Sequence, residues 1–171
     1  MSSEMAPLGY SRESALMAVS VALPVLQRSY RAAADKAVAH LGLSQALAWP
    51  LVMIGRQGDG LRQGVLADLL GIEGPSLVRS LDQLVAADLV ERREDAADRR
   101  AKTLHLTPQG AATRAQIETV LHALRAALYG GASDVDVAAC LRVFGVLERS
   151  LGCTMPTLPA VPALAVEPGK P

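Results

Sequence analysis

Four polar side chains recur at helical spacing within a short apolar segment of this sequence. They are Ser76, Arg79, Ser80 and Gln83. The intervening positions are apolar: Leu77, Val78, Leu81, Leu84 and Val85. Residues three and four apart share one face of a helix, so the pattern predicts a helix with one polar and one apolar face. Hydroxyl, amide and guanidinium groups are the donors and acceptors that read base edges or hold phosphates.

A second group of cations lies between two segments that read as strands, Leu89 to Arg93 and Lys102 to Leu106. Arg99 and Arg100 are placed at the tip of this predicted hairpin, with Asp98 close enough to hold one of them in a fixed rotamer. The narrow minor groove of DNA concentrates negative potential and favours an inserted guanidinium. The hairpin therefore has the properties of a DNA-binding wing.

Two short helices must position the polar face. The first is predicted from Gln63 to Leu70, where Gly71 provides the left-handed stop. A turn then leads to a second helix with Gly74 as N-cap and Pro75 at the first helical position. Two helices joined in this way form a helix-turn-helix, whose second helix enters the major groove. Residues 62–106 are therefore predicted to form a DNA-reading unit.

Two segments resemble the MarR family of bacterial regulators, and most closely its SlyA branch. One runs from Gly71 to Leu84, and the other from Asp98 to Lys102, followed by Leu104 to Thr107. The resemblance implies a mainly α (α+β) fold, a winged helix-turn-helix with N- and C-terminal dimerisation helices. It also implies that Ser76 and Arg79 meet bases or phosphates, and that the two wing arginines enter the minor groove.

The resemblance implies a transcriptional regulator, a repressor that binds a pseudo-palindromic operator as a homodimer and is released by a small aromatic acid. The predicted contacts to double-stranded DNA are Pro75, Ser76, Arg79, Ser80, Gln83, Arg99, Arg100 and Lys102. The candidate ligand residues are Tyr30, Trp49, Met53 and Arg79, the last because SlyA-like proteins place this arginine between ligand and DNA. Two alternatives remain open: a ligand-blind architectural or antisilencing DNA-binding protein, and a winged-helix protein-interaction module.

The remaining segments lie before and after the reading unit in the sequence. Residues 1–23 are expected to form a flexible arm with at most a short helix, because Pro24 opposes continuation. Residues 24–151 form the MarR-type domain, with N-terminal helices in 24–60 and dimerisation helices in 108–151. Within it, helices are predicted from Pro24 to Leu41, from Gln45 to Ile54, from Pro108 to Tyr129 and, after a capping box at Ser133, to Leu151. The Pro-rich tail, 152–171, is expected to be disordered.

The sequence departs from the family pattern at two positions. The family usually has a tryptophan where Ala48 aligns, whereas the tryptophan here is Trp49, turned by about a hundred degrees around the helix. Arg62 stands where relatives often carry a Ser or Thr cap, and losing such a cap typically costs about 1 kcal/mol.

Composition excludes several classes of function. The formal net charge is +0 at pH 7, which predicts modest non-specific affinity for DNA. Cys140 and Cys153 are too few for a disulfide framework, and His40, His105 and His122 are scattered, so neither a metal site nor a cofactor is expected. Cys140 is placed on the apolar stripe of the last helix as a buried, inert thiol. With no paired nucleophile and base, no leader and no membrane span, we expect a cytoplasmic protein that is not an enzyme.

Overall fold

The computed structural model describes residues 11–58, 60–95, 98 and 101–153. These residues form six α-helices and a three-stranded antiparallel sheet, which confirms the predicted winged helix-turn-helix. In chain order the elements are α1 (Arg12–Val38), α2 (Gln45–Gln57), β1 (Leu61–Arg62), α3 (Gln63–Leu70), α4 (Gly74–Ala86), β2 (Val90–Glu94), β3 (Lys102–Leu106), α5 (Pro108–Tyr129) and α6 (Asp134–Leu151). The start of the predicted arm, 1–10, and most of the predicted tail, 154–171, lie outside the described residues.

The first helix continues through Pro24, so the predicted break there is wrong. α1 begins at Arg12, where the hydroxyl of Ser11 accepts a hydrogen bond from the N–H of Ser14. A proline inside a helix removes one hydrogen bond and crowds the preceding turn. About three turns of helix precede Pro24 and about four follow it, so most of the hydrogen bonds of the helix do not involve the proline. The proline therefore interrupts the hydrogen-bond ladder without ending the helix.

The second helix begins at Gln45 as predicted and ends at Gln57, three residues beyond the predicted Ile54. Ser44 occupies the N-cap position, but its side chain makes no capping hydrogen bond. Instead, Oδ1 of Asp35 in α1 accepts the backbone N–H of Gln45 at 2.6 Å. A carboxylate near a helix N-terminus is also favoured by the helix dipole. Asp35 therefore joins the two helices and caps the second.

The reading unit agrees with prediction apart from small shifts. α3 spans the predicted residues and ends at Gly71 in the left-handed conformation, with φ of 60°. The N-cap of α4 is Glu73 and not Gly74, and β2 is displaced by one residue from its predicted bounds. The sequence did not predict β1, which pairs with β3 to give the strand order β1-β3-β2. A two-residue strand is too short to show an alternating pattern.

The hydrophobic core lies where α2, α4 and α5 meet the sheet. Its fully buried side chains include Leu51, Met53, Ile54, Leu66, Leu77, Leu81, Leu84, Leu104 and Ile117. α5 packs closely on α2 at Gly55. A β-carbon on this glycine would lie only 2.3 Å from Cδ of Arg114. The absence of a side chain at Gly55 thus makes room for the stem of this arginine.

Glu118 links α2 and α5 at the edge of this core. Its Oε1 accepts hydrogen bonds from Nε of Arg56 at 3.2 Å and from Nη2 of Arg114 at 3.0 Å. Burial alone would raise the pKa of Glu118, but the hydrogen bonds and positive charges of the two arginines outweigh it, so the pKa lies below its ordinary value. The carboxylate is therefore ionised at neutral pH.

The first and last helices expose many large apolar side chains. They include Met17, Val21, Leu26, Val135, Leu141, Val146 and Leu151. α6 has no buried residue at all in the single chain. Among the described residues, no single helix is both long and apolar enough to cross a membrane, although α1 and α2 meet that test together as a pair bent by 83°.

Candidate nucleic-acid interface

The fourth helix presents its predicted contact residues on one accessible face. Pro75, Ser76, Arg79 and Gln83 are exposed and Ser80 is half-buried. The opposite face is fixed by three fully buried leucines: Leu77, Leu81 and Leu84. Val78 and Val85, predicted on the apolar stripe, are each 38% exposed. Burial of the leucines therefore sets the rotation of the helix and leaves Ser76, Arg79 and Gln83 exposed to a ligand, while the hydroxyl of Ser80 donates to the carbonyl of Ser76.

Asp82 adds a negative charge to this helix, and sequence reasoning did not single it out. Its Oδ1 accepts a hydrogen bond from Nη1 of Arg92 in β2 at 2.7 Å. Within the part of the chain that the structure describes, Nε and Nη2 of Arg92 are buried without a hydrogen-bond partner. The ion pair joins the reading helix to the hairpin and partly neutralises a carboxylate that would otherwise repel phosphates.

The end of the hairpin next to the wing loop is organised by Asp95. Its Oδ2 accepts a hydrogen bond from Nε of Arg62 at 2.6 Å, and its Oδ1 accepts the backbone N–H of Asp98 at 3.2 Å. The hydrogen bond and negative charge of Asp95 raise the pKa of Arg62 above its ordinary value. Arg99 and Arg100 lie outside the described residues, so their minor-groove role and the orienting role of Asp98 stay predictions.

The other described cations of the hairpin are paired on its surface. Nζ of Lys102 lies 3.3 Å from Oε1 of Glu94, and Arg93 pairs with Glu91 within β2. Exposed pairs of this kind contribute only about 0 to 1 kcal/mol, so a phosphate can replace the carboxylate at little cost. Lys102 is therefore accessible to an anion at its predicted position.

An open groove of about 1150 Å³ adjoins the reading helix. Its walls are formed by α1, α2, the turn before α4, and α6, with Ser76 and Ser80 contributed by α4 itself. Tyr30 and Trp49 both line it, and their role as ligand contacts stays a prediction. Arg31 adds a positive charge along the wall.

Two predicted ligand residues do not line this groove. Met53 lies one turn beyond Trp49 and so on nearly the same side of α2, but it is fully buried in the core. Arg79 is exposed on α4 but is not among the residues that line the groove. For Met53 the cause is tertiary packing, which decides how much of a helix face is covered and which local spacing does not show.

Two residues that depart from the family pattern or from prediction also lie along the groove. They are Trp49, one residue beyond the usual tryptophan position, and Cys140. Ala48, at the usual tryptophan position, is buried, while Trp49 is half-buried and reaches the groove. Cys140 was expected to be buried but is exposed along the groove, because nothing in the single chain covers that face of α6.

Comparison with known proteins places these features in a family context. A model of the MarR family matches residues 41–101, from the segment between α1 and α2 to the wing. The transcriptional regulator PA3341 is 36% identical, with a TM-score of 0.72 and coverage of 78% of this chain and 98% of that chain. A MarR family transcriptional regulator from Silicibacter pomeroyi is 26% identical, with a TM-score of 0.67 and coverage of 78% and 89%.

Two more distant structures share the fold. A mutant MarR from E. coli, complexed with operator DNA, is 19% identical, with a TM-score of 0.69 and coverage of 81% of this chain and 99% of that chain. SlyA is 16% identical, with a TM-score of 0.70 and coverage of 78% and 93%. At that identity the likeness is one of fold alone, so the predicted SlyA branch stays a prediction.

Proposed function

Because this chain belongs to the MarR family of transcriptional regulators, we propose that it represses transcription by binding double-stranded operator DNA as a homodimer. The observation that carries the proposal is the division of α4 into a face of buried leucines and an exposed face with Ser76, Arg79 and Gln83. A relative with the same fold, MarR from E. coli, is complexed with operator DNA. Operator binding requires the chain to share the cytoplasm with the chromosome.

Each part of the reading unit has a distinct task in this proposal. The exposed side chains of α4 contact base edges in the major groove, where Arg79 favours guanine. The wing, with Arg99 and Arg100, enters the neighbouring minor groove, and Lys102 holds a phosphate. The formal net charge is +0, so the whole chain supplies little long-range attraction and specific contacts carry the binding.

Dimerisation places two reading helices at the spacing that a palindrome requires. The exposed apolar side chains of α1 and α6 would lose water by packing against their counterparts in a second copy. With two α4 helices related by a two-fold axis, the half-sites lie about one helical turn apart on the DNA. The operator is therefore pseudo-palindromic.

The proposed effector is a small aromatic acid bound in the groove beside Tyr30 and Trp49, with Arg31 available to its carboxylate. Ser76 and Ser80 belong both to the groove wall and to the reading helix, so a ligand there contacts the element that reads DNA. Release of DNA then requires only that the ligand prefer a dimer with displaced reading helices.

The decisive experiment titrates the protein against its own upstream intergenic DNA at fixed salt, with and without salicylate. Tight, competitor-resistant binding that salicylate releases supports the full proposal. The chain has a single tryptophan, so quenching of Trp49 fluorescence by salicylate reports binding in the groove independently.

Two other results would favour the alternatives. Tight binding that no aromatic acid changes would favour the ligand-blind architectural protein. Binding no stronger than to unrelated DNA would favour the interaction module.

A further inference from the structure

Arg62 occupies a junction between the helix-turn-helix and the sheet. It forms β1 with its neighbour and pairs with Thr103 of β3, and it is also the N-cap residue of α3. Its side chain makes no capping hydrogen bond and extends to Asp95, the residue that follows β2. The side chain that replaces a helix cap in this chain therefore contacts the start of the wing loop.

Asp95 uses both carboxylate oxygens and its backbone in this contact region. One oxygen accepts from Arg62 and the other from the N–H of Asp98, while the N–H of Asp95 donates to the carbonyl of Ala101. The N–H of Ala101 in turn donates to the carbonyl of Asp98 at 2.9 Å. Asp95 thus joins Arg62 to the described residues of the wing loop, Asp98 and Ala101.

Burial distinguishes this ion pair from the other pairs on the hairpin. The side chain of Asp95 is only 11% exposed, whereas the carboxylates paired with Arg93 and Lys102 are 45% and 66% exposed. A shielded carboxylate loses more when its partner is removed, because water replaces the partner less well. The contact is therefore better suited to fix a geometry than are the exposed pairs.

We propose that Arg62 and Asp95 form a wing clamp, which sets the orientation of the wing relative to α3 and α4 and so determines how well the wing fits its DNA. Both are positioning residues, acting through the wing loop and not through contact with DNA. This inference rests on the proposed function. Without the clamp the wing samples more orientations in the free protein, and ordering them on DNA costs entropy.

Asp95→Asn distinguishes a positioning role of Asp95 from a direct effect of its negative charge on DNA binding. The substitution removes a negative charge near DNA, so charge alone predicts tighter binding. It keeps an oxygen for the N–H of Asp98 but weakens the bond to Arg62, so loss of the clamp predicts weaker binding. We expect the affinity for the operator to fall by at least about fivefold, with a smaller change for unrelated DNA. Equal or tighter operator binding by Asp95→Asn would overturn the clamp.

Arg62→Ala and Arg93→Ala form a matched pair of charge deletions, because the two side chains are 51% and 54% exposed and each pairs with one carboxylate among the residues that the structure describes. Arg93 pairs within its own strand, so its loss leaves the wing attached. Arg62→Ala should weaken operator binding several-fold more than Arg93→Ala. The double variant Arg62→Ala with Asp95→Asn should be no weaker than about the worse single variant, since both remove one interaction.

Amide hydrogen exchange in the DNA-free protein tests the clamp without DNA. Exchange at Asp98 and Ala101 should be faster in both clamp variants and unchanged in Arg93→Ala. Unchanged exchange in the clamp variants would overturn the proposal. If the wild-type chain binds no operator, the proposed function fails and the role of the clamp in DNA binding fails with it. Normal wild-type binding together with unaffected clamp variants would overturn the clamp alone.

Discussion

Gly110 lies so close to Leu89 that a β-carbon built on Gly110 would be 1.8 Å from the carbonyl oxygen of Leu89. This contact is part of the corner where the wing leads into α5. Thr107 caps the helix there, since its Oγ1 accepts the N–H of Gly110 and donates to the carbonyl of Asp88 at 2.6 Å. The start of α5 is thus packed directly against the backbone that precedes β2.

Gly110→Ala should destabilise the fold strongly, because the clash is with a backbone atom and not with a movable side chain. We expect the free energy of unfolding to fall by at least about 3 kcal/mol, measured by chemical denaturation at fixed protein concentration. Gly64→Ala is the control, since a β-carbon there meets open space and the residue is helical. It should raise stability by up to about 1 kcal/mol. Comparable stability of the two variants would contradict the observed packing.

Glu118→Gln should lower stability in a way that depends on pH. At neutral pH the loss of charged hydrogen bonds to Arg56 and Arg114 should cost about 2 kcal/mol. Because the folded pKa of Glu118 lies below its ordinary value of 4.5, its contribution is complete above pH 4.5 and is lost as pH falls through the folded pKa.

The measurement for Glu118 is the unfolding free energy of wild type and variant across that pH range. Glu91→Gln is the control, because its exposed pair with Arg93 should contribute less than about 1 kcal/mol. A difference between wild type and Glu118→Gln that persists undiminished in acid would contradict the ion-pair explanation.

Val146→Glu should disrupt the proposed dimer. Val146 lies on α6 and is 53% exposed in the single chain, so a charge there would be buried only if a second copy covers it. Light scattering after size exclusion should show a monomer for Val146→Glu and a dimer for wild type. Val65→Glu, on α3 and 46% exposed, should remain dimeric. A dimer that survives Val146→Glu would exclude this face from the interface.

Arg79→Ala should weaken operator binding by about tenfold or more and relax sequence preference, because a base contact is worth about 1 to 3 kcal/mol. Lys102→Ala should instead weaken binding to all sequences and reduce the salt dependence by about one ion. Lys36→Ala removes the same charge from an exposed position on α1 and should change neither the affinity for DNA nor its salt dependence. Anisotropy titrations at several salt concentrations distinguish the three outcomes, and identical behaviour of Arg79→Ala and Lys36→Ala would remove Arg79 from the interface.

Replacing Arg99 and Arg100 together by alanine should weaken operator binding by at least about tenfold, because both are proposed to enter the minor groove. The loss should be largest on operators with A·T-rich flanks, where the groove is narrow. Gel-shift titrations with A·T and G·C flanks measure this preference. Unchanged affinity on both would exclude the wing tip from DNA contact.

Local chemistry predicted the starts of α5 and α6 correctly. Thr107 followed by proline, and Ser133 with Asp136, indicated the beginnings of α5 and α6, and both caps are present in the structure. Capping depends on residues adjacent in sequence, so it can be read without the fold. The error at Pro24 arose because a local rule for proline was applied where long flanking helices outweigh it.

The candidate site was predictable only in part, because the burial of a helical residue depends on elements that are distant in sequence. Ser76 and Arg79 were assigned correctly to the exposed face of α4, since amphipathic spacing marks that face. Met53 was assigned to the groove, but packing of α2 on α5 buries it. The pairing of Arg62 with Asp95 joins residues far apart in sequence, and no local pattern indicated it.

The contact between Gly55 and Arg114 has a consequence for the evolution of this chain. A β-carbon at Gly55 would overlap the stem of Arg114 and lie 2.9 Å from Cδ1 of Leu106. A lineage that acquires a side chain at Gly55 must therefore shorten or redirect the residue at Arg114, and thereby lose one of the two arginines bound to Glu118. The three positions should covary among descendants of this sequence, with glycine retained wherever arginine and glutamate are retained.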